Sequence, residues 1–328
     1  MVTLVTGAPG WLGNRFLERL SEEDVPNHDL RCLVLSGVDP TPVKRFTSDI
    51  VFGDLRKPET LRTALRDVDV VFHLAALLYS PRVRDYYEVN STGTGHLVSE
   101  ALLSGVQRFV HVSSDAAIGP NPARNLPLTE QSAPHPLSAY GRSKLLGEEY
   151  VRRAYMERGL MTTIVRPYWM YGPGQSGRTI HLLRSVRSGF APIIGHGAMR
   201  RTLTFVDDAA EALLLSCASK KAVGKTYFIG DNEPYRLRDI YGAIAGALQV
   251  PLRTVPLPAP ASWTCQVLDG ACGLIGAEIF PFRALAELRH DIWGNIDTAK
   301  NELGFEPSTT LEEGMRQMVT GARAQGQL

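Results

Sequence analysis

The chain has 328 residues, of which 44% are hydrophobic and 21% charged, and its formal net charge is +1 at pH 7. That length can bury a large core, and the composition is that of an ordinary folded globular protein rather than a disordered one. Acidic and basic residues are mixed along the chain, so no basic field invites nucleic acid, and any recognition of phosphate has to be local.

Val2 to Thr6 reads as a buried parallel strand, Gly7-Ala8-Pro9-Gly10-Trp11-Leu12-Gly13 as a glycine-rich turn, and Asn14 to Leu20 as the start of a helix. Such a turn suits a dinucleotide. Glycines let the backbone approach a pyrophosphate, and the helix N-terminus offers free N–H groups and a positive dipole end. Its spacing is Gly-x2-Gly-x2-Gly rather than the commoner Gly-x-Gly-x2-Gly. The N-terminus enters this strand without a basic leader or apolar signal segment, so a cytoplasmic location is expected.

Further strand-like runs follow at Leu30 to Leu35, Ile50 to Phe52, Val68 to Leu74, Phe109 to Ser113 and Thr162 to Arg166, alternating with helical stretches. Alternation of this kind implies an α/β fold, a parallel sheet with helices on both faces. Ligands then bind beyond the carboxyl ends of the strands, where the glycine turn, Ser114 and the loop after Arg166 converge. Leu33-Val34-Leu35 runs into Ser36-Gly37, with neither the acidic residue that binds the ribose of NAD nor an arginine for the phosphate of NADP; Lys44 and Arg45 lie farther on.

Tyr140 and Lys144 stand four residues apart, on one face of a predicted helix. An ammonium beside a phenol lowers its pKa from about 10, and a phenol so tuned exchanges protons with an alcohol near neutral pH. Beyond Arg166 the pattern breaks at Pro167, Gly172 and Pro173. Thr179 to Ser188 looks helical, Pro192 to Gly195 irregular, and Thr226 to Ile229 is expected to return to the main sheet. Ala259 to Phe282 is apolar but holds Asp269 and Glu278 and is bracketed by prolines, which fits a helical pair better than a membrane span. The tail after Thr320 looks loosely held. Cys32, Cys217, Cys265 and Cys272 lack metal-ligand spacing, so no metal site is expected.

Taken in order, these segments resemble the extended short-chain dehydrogenase/reductases, also called the NAD-dependent epimerase/dehydratase family. The likeness spans nearly the whole chain: Thr6 to Gly13, Gly53-Asp54-Leu55, His73 to Ala76, Val89 to Thr94, His111 to Ser114, Tyr140 to Lys144, Arg166 to Gly174, Phe205 to Ala210 and Glu302 to Pro307. It implies a Rossmann-type doubly wound parallel sheet with a smaller, interleaved C-terminal substrate-binding lobe. Residues 1–166 would form the dinucleotide-binding domain and 167–328 the lobe, with a segment near 204–240 returning to the sheet.

The resemblance assigns roles as well. Gly7, Gly10, Trp11, Leu12, Gly13, Asp54, Leu55, Leu74, Ala75, Ala76 and Pro167 would hold NAD, with NADP left open. Tyr140 would be the acid/base, Ser114 would orient the substrate oxygen, with Ser113 its competitor, and Lys144 would tune Tyr140 and bond the nicotinamide ribose. Asn90 would hold Lys144 through water or backbone. Asp115, Trp169 and Arg201 would line the substrate site with Ser114.

Two departures bear on the substrate. Ser114-Asp115-Ala116 replaces the Thr-Asp-Glu of sugar-nucleotide dehydratases, and Trp169 stands where sugar-nucleotide enzymes commonly place asparagine. Arg200-Arg201 point the other way, toward a diphosphate. Trp263, Leu268, Leu274, Ile275, Ile279 and Phe280 resemble the apolar segment of hydroxysteroid-dehydrogenase-like members. The favoured reading is an oxidoreductase acting on a secondary alcohol or ketone of a bulky, mainly apolar small molecule. The alternatives are a nucleotide-sugar epimerase and a cofactor-binding regulatory protein without turnover. The resemblance also implies a homodimer that pairs the helix from Gly95 to Leu103 with the one after Tyr140.

Overall fold

The computed structural model describes residues 1–22, 29–175 and 177–328; within it, the side chains of Arg178, Ala259 and Phe280 lie outside the description. The opening apolar run is β1 (Val2–Thr6), and helix α1 (Trp11–Glu22) follows its turn. Next come β2 (Asp29–Val34), the short α2 (Thr41–Lys44), β3 (Asp49–Phe52), α3 (Pro58–Ala64) and β4 (Val70–His73). A single turn α4 (Val83–Tyr86) widens into π-helical geometry over Tyr87–Gly93 and continues as α5 (Thr94–Leu103). Then follow β5 (Arg108–Val112), the long α6 (Ala139–Arg158) and β6 (Met161–Pro167).

From there the chain builds a second layer and interleaves it with the first. It runs through β7 (Trp169–Tyr171), α7 (Arg178–Arg187), β8 (Ala191–Ile194), β9 (Arg200–Arg201), β10 (Leu203–Phe205) and α8 (Val206–Ala218) before β11 (Lys225–Ile229). After β11 come β12 (Tyr235–Arg236), α9 (Leu237–Leu248), β13 (Thr254–Leu257), α10 (Ala259–Leu274), α11 (Phe280–Glu287), α12 (Asp297–Leu303) and α13 (Leu311–Ala324).

The main sheet has seven strands in the order β11-β6-β5-β4-β1-β2-β3, every pair parallel. Its strands are buried on both faces because neighbouring residues point to opposite sides. Leu4, Leu33, Phe109 and Ile164 pack on one face, and Val5, Val34, Val110 and Val165 on the other. Each such side chain contributes about 1.5–3 kcal/mol on burial. This is the doubly wound Rossmann-type fold that the alternation of strands and helices predicts. Strand order reverses between β1 and β4, so the crevice for a ligand opens at their carboxyl ends.

Two expectations need correction. Pro192 to Ile194 is strand rather than irregular, paired in parallel with Thr254–Leu257; Pro192 and Pro256 are tolerated because this ribbon has only two strands, both edges. The tail is not loose at Thr320: α13 runs to Ala324, Ala322 is buried, and Arg184 bonds the Gln327 carbonyl at 2.8 Å. The region from Ala259 to Phe282 is a packed helical pair, yet Trp263, Leu268, Leu274, Ile275 and Ile279 face outward instead of filling a core. Among the described residues no helix is long and apolar enough to cross a membrane, and no group of three metal-binding side chains is gathered.

Candidate active site

The turn after β1 is shaped by glycines that nothing larger can replace. Gly7 has φ +89°, and a Cβ there would lie 2.5 Å from the Ala75 nitrogen, so the turn rests directly on Leu74 and Ala75. A Cβ on Gly10 or Gly13 would come within 2.6 or 2.5 Å of the Gly7 carbonyl oxygen. Thr6 Oγ1 accepts from the Ala75 nitrogen at 3.3 Å and ties the two strand ends together. Leu12 and Gly13 are buried in the first turn of α1, while Trp11 donates its indole N–H to the Pro173 carbonyl at 2.7 Å, linking cradle and second layer. Bare backbone at a helix N-terminus is a fit for a pyrophosphate.

Around the outer end of that cradle the polar residues are engaged. The Asp54 carboxylate bonds the Arg56 guanidinium at 2.5 Å, which holds it below its usual range. Leu55 is buried, and its carbonyl accepts from His96 at 2.9 Å. Arg45, one of the two basic residues beyond β2, pairs with Glu18 and stacks on Phe46.

Helix α6 begins against the end of β5. Ser138 caps it by accepting from the Gly141 nitrogen at 3.1 Å. A Cβ on Gly141 would lie 2.2 Å from the Ala116 carbonyl and one on Gly147 would lie 2.5 Å from that of Asn90, so α6 lies flush on both neighbours. Tyr140 and Ser114 are thereby brought to the lining of one cleft. Ser114 donates to Asp115 Oδ1 at 2.9 Å, whereas Ser113 is buried at the end of β5. Burial pushes the Asp115 carboxyl up to about 6, with Glu287 adding to the rise and Ser114 and Arg201 opposing it.

Burial governs both Lys144 and Tyr140. Lys144, 1% exposed, donates to the Val112 carbonyl at 2.7 Å, and burial lowers its ammonium to about 8, opposed by Glu148. Tyr140 is not tuned down toward neutrality: burial raises it to about 12, and the groups pulling the other way are Ser114 and Arg283. Desolvation disfavours the phenolate, and the Lys144 ammonium is bonded to a backbone carbonyl. Asn90 is buried in the π-helical turn and bonds Leu77 N at 2.7 Å, Leu77 O at 3.0 Å and Ser143 Oγ at 3.1 Å, so it braces α6 beside Lys144.

Ser114, Asp115 and Tyr140 line a cleft of about 170 Å3 whose walls include Leu78, Pro167, Tyr168, Trp169, Met170 and Ile292. Arg201 lies along it, but its guanidinium is spent on backbone, donating to the carbonyl of Glu287 at 2.6 Å and to that of His290. Arg200 is stacked 4.0 Å from the Trp293 ring. Sequence reasoning missed Arg283, whose guanidinium carbon lies 5.8 Å from the Tyr140 ring centre. The available signal was an arginine and a glutamate four apart, Arg283 and Glu287, in an otherwise apolar stretch.

A parallel seven-stranded sheet with a bare glycine cradle at its switch point defines a Rossmann-type nucleotide-binding protein. The chain belongs to the NAD dependent epimerase/dehydratase family, whose model matches residues 3–230. It is 30% identical to protein y4nL of Sinorhizobium fredii, over 99% of this chain and 96% of that one. It is 27% identical to the 4-hydroxy-2-methyl-3-oxo-4-farnesyl-3,4-dihydroquinoline-1-oxide ketoreductase of Stigmatella aurantiaca, over 96% and 95%. Among solved structures, the dTDP-glucose 4,6-dehydratase DesIV of Streptomyces venezuelae, with NAD and TYD bound, superposes with a TM-score of 0.78 at 25% identity over 99% and 97% of the two chains. NAD is the cofactor of this protein, as the family and its NAD-bound structural relatives show.

Proposed function

We propose that the protein interconverts a secondary alcohol and its ketone on a bulky, mainly apolar small molecule, using Ser114, Tyr140 and Lys144. The observation that carries this reading is that the Ser114 and Tyr140 side chains line one cleft at the strand ends together with Leu78, Trp169 and Met170. NAD, when bound, supplies the acceptor or donor of hydride. Gly7, Gly10, Trp11, Leu12, Gly13, Leu74, Ala75, Ala76 and Pro167 would hold it, with Asp54 and Leu55 near its adenine. In reduction the Tyr140 phenol gives its proton to the ketone oxygen, and in oxidation its phenolate takes the hydroxyl proton, while Ser114, turning its hydroxyl from Asp115, donates to the same substrate oxygen and fixes the carbon in place. Lys144, with one of its three donors on Val112, offers the others to the ribose.

The engagement of Arg201 supports the dehydrogenase over the epimerase. A nucleotide-sugar epimerase needs a guanidinium fork for the diphosphate, and here that fork is bonded to the carbonyls of residues 287 and 290. The Trp169 wall and the farnesylated substrate named for the Stigmatella relative support the apolar class. Sterol-like secondary alcohols and UDP-sugars, each assayed with NAD and with NADP, test it. Net accumulation of reduced cofactor with the alcohols is expected; sugar interconversion without net reduction would establish the epimerase, and neither activity would establish a binding protein.

The reading includes a homodimer through α5 and α6, on which Leu103, Leu146, Tyr150 and Met156 are exposed. A light-scattering mass of twice the chain is the expected result, and a monomeric mass would reject it.

A further inference from the structure

Arg283 belongs to none of the motifs above. It sits in the first turn of α11, 6% exposed, with its guanidinium carbon 5.8 Å from the Tyr140 ring centre and 5.9 Å from that of Tyr79. Two carboxylates of the same segment hold it, Glu278 at 2.7 Å and Glu287 at 3.6 Å. Glu278 also accepts a 2.8 Å hydrogen bond from the Tyr86 hydroxyl, and the Tyr86 ring meets that of Tyr140 edge-on. A buried guanidinium is costly to keep, and this one is fixed from behind by carboxylates while its face lies toward the phenol and the cleft.

We propose that Arg283 is a positioning residue for Tyr140, supplying from the C-terminal lobe the positive charge that the phenol faces during proton exchange. The inference rests on Tyr140 being the acid/base and names the group that governs it. Around the phenol stand Ser114 and Asp115 after β5, Tyr79 after β4, Tyr86 from α4, Lys144 one turn along α6, and Arg283 with Glu287 from α11. Asp115 and Tyr79 oppose the phenolate, whereas Arg283 and Ser114 favour it.

Two variants with opposite expected signs test the idea. Arg283→Met keeps an apolar stem and removes the charge. In alcohol oxidation, where Tyr140 accepts the proton, the rising limb of kcat/KM then moves up by about one pH unit, a loss of about tenfold anywhere on that limb. Arg283→Lys restores most of it. Glu278→Gln still accepts from Tyr86 but unmasks the guanidinium, so the limb moves to lower pH. The probe is whichever alcohol of the panel wild-type protein oxidises fastest. Fluorine NMR of protein labelled with 3-fluorotyrosine reads the same shifts without turnover, the Tyr140 signal being assigned by its loss in Tyr140→Phe. Displacements of opposite sign in Arg283→Met and Glu278→Gln establish the role, and Glu278→Gln decides alone where Arg283→Met does not fold. One phenol titration common to wild type and both variants overturns it, whether or not any alcohol is turned over.

Discussion

Phenylalanine at position 140 is expected to cut alcohol oxidation by about a thousandfold, within the range that a positioned acid/base supplies. The substitution removes one oxygen and leaves the ring, so the edge-on contact with Tyr86 and the stack under Arg283 persist. Ser114 keeps its bond to Asp115 Oδ1. The glycine cradle lies on β1 and β4 rather than on α6, so NAD affinity should change by less than about threefold, under 0.7 kcal/mol. Steady-state turnover and a calorimetric NAD titration on the same preparation give the two numbers. Retained turnover would remove Tyr140 from the chemistry; lost turnover with lost NAD binding would make the defect one of folding or cradle geometry.

The sheet was legible because burial on both faces writes itself as near-continuous apolar runs, and the cradle because three glycines at a strand end have few other uses. What escaped reading depends on contacts between distant segments. Pro192 argues against a strand until its partner at Val255 is known, because only a lone ribbon tolerates it. Spacing put Lys144 on the face of Tyr140, but spacing says nothing of depth. Burial decides the phenol's pKa, and the Val112 carbonyl claims the ammonium. Arg201 looked like a diphosphate fork because the carbonyls of residues 287 and 290 that consume it lie more than eighty positions away. Arg283 was hidden for the same reason, carried to Tyr140 by the folding back of α11.

Replacing Glu148 with Leu is expected to cost about 3–5 kcal/mol, the usual penalty for stranding the partner of a buried ion pair. Glu148 is fully buried, and both its oxygens are taken by Arg166, at 2.8 and 2.6 Å, with Arg152 at 2.6 Å on the second. Arg166 is 2% exposed, and its guanidinium also lies 5.3 Å from the centre of the Phe228 ring. Burial alone would raise the Glu148 carboxyl, but the two arginines outweigh it and hold the group below its ordinary value. A depressed folded pKa stabilises above the unfolded value of about 4.3, and that contribution is lost as pH falls through the lower folded value. The gap in chemical-denaturation stability between wild type and Glu148→Leu should therefore be full at neutral pH and close below about pH 4. Adding Arg166→Met should recover much of the loss, since two matched apolar residues strand no charge. A gap that persists unchanged into acid would assign the cost to packing instead. The pair also reaches the site: Glu148 supports the charge on Lys144, and Arg166 precedes Pro167 in the cleft wall, so the double variant should regain stability while its Lys144 titrates below about 8.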